Sequence, residues 1–146
     1  MHYNEKPSVL IVDDEDMVIT SLRAYLRLET EYHVEGITDP EDAVRYLEAN
    51  GVDVVISDYL MPKMNGIELL ARAKRLQPES TRVLLTGHAD KQSAIQAINE
   101  VGLYQYIEKP WENAQLLLVI QNGIERAQLL RRLREKISEL DTAHSN

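Results

Sequence analysis

The sequence lacks cysteine entirely. The chain therefore cannot form a disulfide or hold a metal ion through thiolates, so any metal site must use oxygen or nitrogen ligands. No apolar run approaches the roughly 20 residues that a membrane-spanning helix needs. The first twelve residues, MHYNEKPSVLIV, do not form a secretory signal, because their apolar stretch is short and leads straight into acidic residues. We expect a cytoplasmic protein that does not contact membranes.

Positive charge is also scarce. The 16 lysine and arginine residues face 24 aspartate and glutamate residues, which gives a formal net charge of -8. Binding to nucleic acid phosphates needs a basic face, so we expect no direct nucleic acid binding by this chain. The 146 residues, 44% of them hydrophobic, are most simply one globular domain.

Five short segments, most of them rich in valine and isoleucine, alternate with segments of helical periodicity. The predicted strands are residues 8–13, 32–37, 52–58, 81–87 and 104–109. The first, third and fourth are apolar on both faces, which is typical of strands covered by helices on both sides. This alternation predicts an α/β fold with a doubly wound, five-stranded parallel sheet, and the strand order 2-1-3-4-5 is the common one.

The predicted helix ends carry recognisable signals. In the second helix, Asp39 is a candidate N-cap before Pro40, and Gly51 is a candidate end. Asp90 is a candidate cap for the fourth helix. The fifth helix is predicted to begin near Trp111 and to continue towards Leu140.

The end of the fifth helix carries an apolar stripe of heptad-like spacing, formed by Leu130, Leu133, Ile137 and Leu140. The stripe spans fewer than two heptads and is too short to be stable alone. Three interpretations stay open. In the first, the segment is a helix that leads to an output domain outside this chain. In the second, it forms a dimeric coiled coil, alone or together with that first role. In the third, it is an amphipathic tail packed on its own domain.

Acidic residues crowd the end of the first predicted strand, where Asp13 and Asp14 begin a run of four acids. Asp58 ends the third strand. In the predicted sheet these two strands are neighbours, and their carboxyl ends share one edge. Three carboxylates gathered there would raise one another's pKa values unless a cation lies among them. Mg²⁺, which prefers carboxylate and water oxygens, fits this site best.

Two further polar residues end strands at the same edge. Thr86 closes the fourth strand and Lys109 closes the fifth. A lone aspartate, threonine or lysine at such a position is usually an ordinary surface residue, but their joint occurrence on four strands indicates a site. A carboxylate beside a metal ion, a hydroxyl and a lysine suits formation of an aspartyl phosphate, because the cations neutralise the phosphoryl oxygens during transfer.

Four segments resemble the receiver domain of bacterial two-component response regulators. They are VLIVDDED (9–16), VVISDYLMPKMNGIELL (54–70), VLLTGHAD (83–90) and YIEKPW (106–111). The resemblance covers about residues 7–127 and implies a flavodoxin-like (βα)5 fold. We therefore expect a receiver domain over residues 1–127 and a helical extension over residues 128–146, which leads to an output domain absent from this chain.

The resemblance also implies a role for each residue at the sheet edge. These roles are Asp58 as phosphoacceptor; Asp13, Asp14, Asp58 and the backbone carbonyl of Leu60 as Mg²⁺ ligands; Thr86 as the switch hydroxyl; Lys109 as the cation that pairs with the phosphoryl group; and Tyr106 as the aromatic switch. The implied donor is a phosphohistidine on a sensor histidine kinase or phosphotransfer protein. The face of helix 4, strand 5 and helix 5 would then change shape, and a homodimer through that face or through the C-terminal helix is a further expectation.

Three alternatives remain at this stage. The segment DEDMV (14–18) also fits the motif of haloacid-dehalogenase-like phosphatases, with Asp14 as nucleophile and Asp16 as acid. The short chain and the absence of a later strand-end acidic pair argue against such an enzyme, so we expect a signalling switch that catalyses only its own phosphorylation and dephosphorylation. A pseudo-receiver that has lost phosphorylation and a stand-alone single-domain regulator are the other two.

Overall fold

The computed structural model describes residues 6–145, and the side chains of residues 6–142. The outermost residues of the predicted domain and extension, 1–5 and 146, lie outside the described residues. The strands are β1 (Ser8–Val12), β2 (His33–Ile37), β3 (Val54–Asp58), β4 (Thr81–Thr86) and β5 (Gln105–Glu108). The α-helices are α1 (Asp16–Glu29), α2 (Pro40–Ala49), α3 (Gly66–Leu76), α4 (Lys91–Glu100) and α5 (Asn113–Ser145), and a short 3-10 helix, His88–Asp90, precedes α4.

The strands form one sheet of order β2-β1-β3-β4-β5, and every neighbouring pair is parallel. The predicted flavodoxin-like fold and its strand order are thus confirmed. Because all strands run in the same direction, the carboxyl ends of β1, β3, β4 and β5 lie at one edge of the sheet. The candidate site residues therefore share that edge.

Two apolar cores cover the two faces of the sheet. On one face α2, α3 and α4 pack against alternate strand residues such as Leu10, Val55 and Leu84. On the other face α1 and α5 pack against the intervening residues, such as Ile11 and Ile56. This explains why the central strands are apolar at every position: each side chain has a helix above or below it.

The helix ends agree only partly with their sequence signals. Asp39 caps α2 as predicted, since its side chain accepts a hydrogen bond from the Glu41 N–H at 2.9 Å. That helix ends at Ala49, and its C-cap residue is Asn50, in an extended conformation, rather than the predicted Gly51. Asp90 occupies the N-cap position of α4, but its side chain makes no capping hydrogen bond. The reason is local: the chain enters α4 from a 3-10 helix, whereas capping geometry requires extended backbone.

Helix α5 runs without a break across the predicted boundary at residue 127 and has 33 residues, a length of roughly 50 Å. Gly123 lets α5 approach β4 closely, because a Cβ there would lie 3.0 Å from Thr81 Cγ2. The Thr81 hydroxyl donates a hydrogen bond to the Gly123 carbonyl at 2.7 Å. Even so, no helix in the described part of the chain combines the length and apolar character needed to cross a membrane.

Candidate functional site

Three carboxylates meet at the carboxyl edge of the sheet. Asp13 and Asp14 directly follow β1, and Asp58 is the last residue of β3. One carboxylate oxygen of each lies within 4.8 Å of the other two. Asp13 and Asp58 are buried, with 0% and 6% exposure, while Asp14 is exposed. The structure thus brings together the three acids that the strand-end positions indicated.

Among the described residues, hydrogen bonds reach only one of the two carboxylate oxygens of Asp13. Oδ1 accepts a hydrogen bond from the Glu15 N–H at 2.9 Å. Oδ2 is buried and accepts no hydrogen bond from any described residue; it lies 3.7 Å from Lys109 Nζ. Burial, reinforced by the nearby charges of Asp58 and Asp14, raises the pKa of Asp13 from 3.8 to about 6. A buried carboxylate oxygen without a donor is a suitable ligand for a hard cation.

Lys109 supplies positive charge on the other side of Asp58. Its Nζ lies 2.7 Å from Asp58 Oδ1, and its backbone N–H donates to the Thr86 carbonyl at 2.9 Å. Burial on its own would lower the pKa of the Lys109 amine. The hydrogen bond to Asp58 and the negative charges of Asp58, Asp13 and Glu15 outweigh burial and raise that pKa above its ordinary value. The lysine is therefore charged at neutral pH.

The two predicted switch residues lie on neighbouring strands. Thr86 is fully buried, and its hydroxyl donates to the Gly87 carbonyl at 3.1 Å rather than to the acidic cluster. Tyr106 is half-buried and packs against the core beneath α2, α3 and α4. The β4–β5 register pairs Leu84 with Tyr106 and Thr86 with Glu108. Because side chains alternate along a strand, Thr86 and Tyr106 lie on the same face of the sheet.

The loop after Asp58 is tied closely to β3. Leu60 lies in this loop with 63% exposure, and its predicted role as a carbonyl ligand stays a prediction. Gly66 begins α3 at a point where a Cβ would lie 2.2 Å from the Asp58 carbonyl oxygen, so any larger residue would push the helix away. Asn65 caps α3 by accepting a hydrogen bond from the Glu68 N–H at 2.9 Å. Helix α3 is thus fixed directly against the backbone of Asp58.

Two contacts at this edge were not predicted from the sequence. The Glu15 N–H orients Asp13, and the His88 ring nitrogen Nδ1 lies 3.2 Å from Glu108 Oε1 across the ends of β4 and β5. The positions of Glu108, next to Lys109, and of His88, two residues after Thr86, were the available signals. Their contact depends on the β4–β5 register, which single-strand patterns do not specify.

Residues 9–121 match the family described as the response regulator receiver domain, and the chain belongs to this family. Among curated proteins, the chain is 32% identical over 118 residues to the hydrogenase transcriptional regulatory protein HoxA of Bradyrhizobium diazoefficiens, a match that covers 81% of this chain and 24% of HoxA. It is 31% identical over 126 residues to the transcriptional regulatory protein FixJ of the same organism, covering 84% of this chain and 59% of FixJ. The chain therefore spans between a quarter and three-fifths of the length of these relatives.

Among solved structures, the chain is similar to a response regulator receiver domain protein from Clostridium thermocellum. The TM-score is 0.79 at 32% identity, and the match covers 85% of this chain and 98% of the other. Family and fold agree: the chain is a receiver domain of the kind found in two-component response regulators, a family of signalling switches. The phosphatase alternative, with Asp14 as nucleophile, is left without support.

Proposed function

We propose that this receiver domain accepts a phosphoryl group on Asp58, in a Mg²⁺-dependent reaction, from a phosphohistidine on a sensor histidine kinase or phosphotransfer protein. The observation that carries the proposal is the position of the Asp58 carboxylate, which lies 2.7 Å from Lys109 Nζ and within 4.8 Å of two further carboxylates. Asp53, a buried acid at the opposite edge, instead pairs with an arginine. Receiver domains as a class use such an acidic pocket for Mg²⁺ and receive phosphoryl groups from histidine kinases in the cytoplasm.

In the proposed reaction an Asp58 carboxylate oxygen attacks the phosphorus atom. The new O–P bond forms as the P–N bond to the donor histidine breaks, and the electron pair of that bond stays with the imidazole. Lys109 remains beside the transferred group and neutralises its oxygens. Mg²⁺, when bound by Asp13, Asp14, Asp58 and the Leu60 carbonyl, supplies further positive charge at the phosphoryl oxygens. The buried, singly hydrogen-bonded Asp13 fits this donor set.

Phosphorylation would then act as a switch. It adds roughly -1.5 to -2 charge and three acceptor oxygens beside Thr86. The Thr86 hydroxyl exchanges its bond to the Gly87 carbonyl for one to the phosphoryl group, and Tyr106 moves into the space that is vacated on the shared face. The face formed by α4, β5 and α5 changes shape and controls either an output domain or, in a stand-alone regulator, a separate partner.

Labelling by a small acyl phosphate tests the assignment. We expect stoichiometric labelling of the wild-type chain with Mg²⁺, none with a chelator, and none in Asp58→Asn. The matched control is Asp16→Asn, which removes an exposed acid in the first turn of α1 and should label normally. Labelling of Asp58→Asn to the wild-type level would refute the nucleophile, and absence of labelling in a folded wild-type chain would favour a pseudo-receiver.

A further inference from the structure

Among the described residues, one buried cation has no acidic partner. Arg82, the second residue of β4, is 3% exposed. Its Nη1 donates to the Ser80 carbonyl at 2.8 Å and its Nη2 to the Gly102 carbonyl at 3.1 Å. Its Nε is buried and has no hydrogen-bond partner in the described part of the chain. Neutral oxygens thus surround a buried positive charge, which is costly unless a negative charge compensates it.

A second cation lies across a small gap from Arg82. Lys74, in the last turn of α3, is exposed, and Gly102 follows α4 with a positive φ of 67°. A Cβ at Gly102 would lie 3.1 Å from Lys74 Nζ and 3.6 Å from Arg82 Nη2. Because Gly102 has no side chain, a space bordered by two cations stays open. The carbonyls at the ends of α3 and α4 compensate these charges only in part, since a helix end carries about half an elementary charge.

A third cation approaches from α5. Cζ of Arg126 lies 5.7 Å from the centroid of the Tyr104 ring, and the Tyr104 N–H donates to the Arg82 carbonyl at 2.9 Å. Burial lowers the pKa of the Arg82 guanidinium, and the positive charge of Arg126 lowers that pKa further. The two arginines therefore repel each other. We call Lys74, Arg82 and Arg126 the cationic cluster.

A shortage of acids does not explain the cationic cluster. The chain has 24 acidic residues against 16 lysine and arginine residues. Two other arginines of α5, Arg131 and Arg134, each pair with an acid. Yet no member of the cationic cluster forms an ion pair with a described residue. Two helices and a strand thus bring together three cations whose charges the described residues leave without a counter-charge.

We propose that the cationic cluster binds a small oxyanion, a phosphate group. Guanidinium and ammonium groups are the side-chain donors that proteins use for phosphate, and three of them suit a ligand with several acceptor oxygens. Gly102 is partly exposed, so the anion can reach the open space between Lys74 and Arg82 from solvent. Its negative charge would remove the repulsion within the cluster.

The proposed anion site is separate from the site of the proposed phosphoryl transfer. Arg82 lies near the amino end of β4, whereas Asp58 and Thr86 lie at the carboxyl ends of their strands. No residue of the cationic cluster touches Asp58. The proposal therefore does not rest on phosphorylation of Asp58.

Titration of the full chain with inorganic phosphate tests the proposal, in the presence of a chelator and at constant ionic strength. Backbone amide NMR should show saturable shifts at Gly102 and Tyr104, which border the cluster. Shifts confined to residues at the carboxyl edge, such as Thr86 and Gly87, would mean that phosphate binds beside Lys109 and would overturn the proposal.

Calorimetry of two matched variants measures the contribution of the cluster. Lys74→Gln should weaken phosphate binding roughly tenfold, because one of three converging charges is lost. Arg72→Gln removes a charge from an exposed position about 200° away around α3, so it should leave the affinity within about twofold. Lys74 is exposed, so its replacement should not disturb folding. Equal affinities in the two variants, or no phosphate binding by the wild type, would contradict the proposal.

A third variant tests the cation on α5. Arg126→Gln, checked for folding by circular dichroism, should weaken phosphate binding as Lys74→Gln does. Arg82 is left unchanged in these tests, because it joins the carbonyls of two loops and its loss would disturb the fold. Phosphate affinity that is unchanged in Arg126→Gln would contradict a site shared by the three cations.

Titration with AMP distinguishes the two sources of a phosphate group. Tyr104, 36% exposed, offers a ring on which a nucleotide base can stack. Binding of AMP roughly tenfold tighter than phosphate, and weakened in Lys74→Gln, would support a nucleotide as ligand, whereas equal affinities would support the free ion. Failure of both to bind would overturn the proposal. Since no measurement uses labelling of Asp58, failure here leaves the function proposed for Asp58 untouched.

Discussion

Two buried aspartates at opposite edges of the same sheet have different surroundings. Asp53, 6% exposed at the start of the β3 segment, accepts hydrogen bonds from the Ser8 N–H at 2.8 Å and from Arg131, one on each oxygen. Asp13, with no exposure just after β1, keeps one oxygen without a hydrogen-bond donor among the described residues. The protein satisfies the first carboxylate completely and the second only in part. Burial alone therefore does not distinguish an acid with a structural role from an acid that binds a ligand. The number of hydrogen-bond donors around each carboxylate does distinguish them.

The two cations that face these acids differ in the same way. Arg131 donates both to Asp53 and to the Val52 carbonyl, so it ties α5 to the backbone as well as to the acid. Lys109 lies beside Asp58 and Asp13, and its amine is a compact charge that can follow an incoming phosphoryl group. At one edge, Asp53 and Arg131 form an ion pair that is complete within the protein. At the other edge, Asp13, Asp58 and Lys109 need an external ligand to complete their contacts.

The largest expected difference between the edges concerns the rate of phosphorylation. Lys109→Gln should slow labelling by a small acyl phosphate roughly 100- to 1000-fold, because it removes the cation beside the reacting carboxylate. Arg131→Gln removes a cation from the other edge and should leave the rate within about twofold, since it touches none of the reacting atoms. Labelling kinetics followed by mass spectrometry compare the two. Equal slowing in both variants would mean that the edges do not have separate roles.

Two glycines extend the comparison to backbone packing. Gly66→Ala should lower the free energy of unfolding by about 3 kcal/mol, because its Cβ would overlap the Asp58 carbonyl and α3 would have to move. Gly51→Ala, near the other edge, should change it by less than about 0.5 kcal/mol, since no atom of the residues that the structure describes lies within 4 Å of the new Cβ. Urea denaturation measures both. A neutral Gly66→Ala variant would show that α3 is not fixed against Asp58.

The closed ion pair gives a third test. Arg131→Ala should cost about 2 kcal/mol of unfolding free energy, because Asp53 stays buried and loses a charged partner. Adding Asp53→Asn should recover at least half of that loss, since the unpaired charge is then absent. Urea denaturation of the single and double variants gives the coupling between the two residues. A double variant less stable than Arg131→Ala would contradict the account of Asp53 as an acid satisfied by this arginine.

The smallest expected effect is an increase in the free energy of unfolding, whereas the variants above lower it. The pKa of Asp13 is raised from 3.8 to about 6, so the folded state binds its proton more tightly and stability falls as pH rises through this range. Asp13→Asn should therefore raise the free energy of unfolding by about 1–2 kcal/mol at pH 8 without divalent cations. The gain should disappear near pH 4, where Asp13 is already protonated.

The matched variant Asp53→Asn should lower stability at pH 8, because it weakens the pair with Arg131. Urea denaturation in the presence of a chelator, repeated at both pH values, measures the two variants side by side. A loss of stability in Asp13→Asn at pH 8 would mean that groups within the protein already pair the charged Asp13 carboxylate fully.

The sequence predicted the carboxyl edge better than the opposite edge for a physical reason. Asp13, Asp58 and Thr86 end or directly follow strands, and in a parallel sheet the strand ends converge whatever the details of helix packing. The pair of Asp53 and Arg131 joins residues 78 positions apart and depends on the rotation of α5 about its own axis, which no local pattern specifies. The available sequence signal was Asp53 itself, because an acid within the apolar segment VDVVISD indicates a charged group that needs a buried partner.

Magnesium titration of the unphosphorylated chain shows whether the three carboxylates at the carboxyl edge bind a cation. If Asp13, Asp14 and Asp58 hold the cation, calorimetry should show one site in the wild type and binding weakened by roughly tenfold or more in Asp13→Asn, since a buried ligand charge is lost. Asp53→Asn, checked for folding by circular dichroism, should bind like the wild type. Equal affinity in all three chains, or no binding by any of them, would contradict the account.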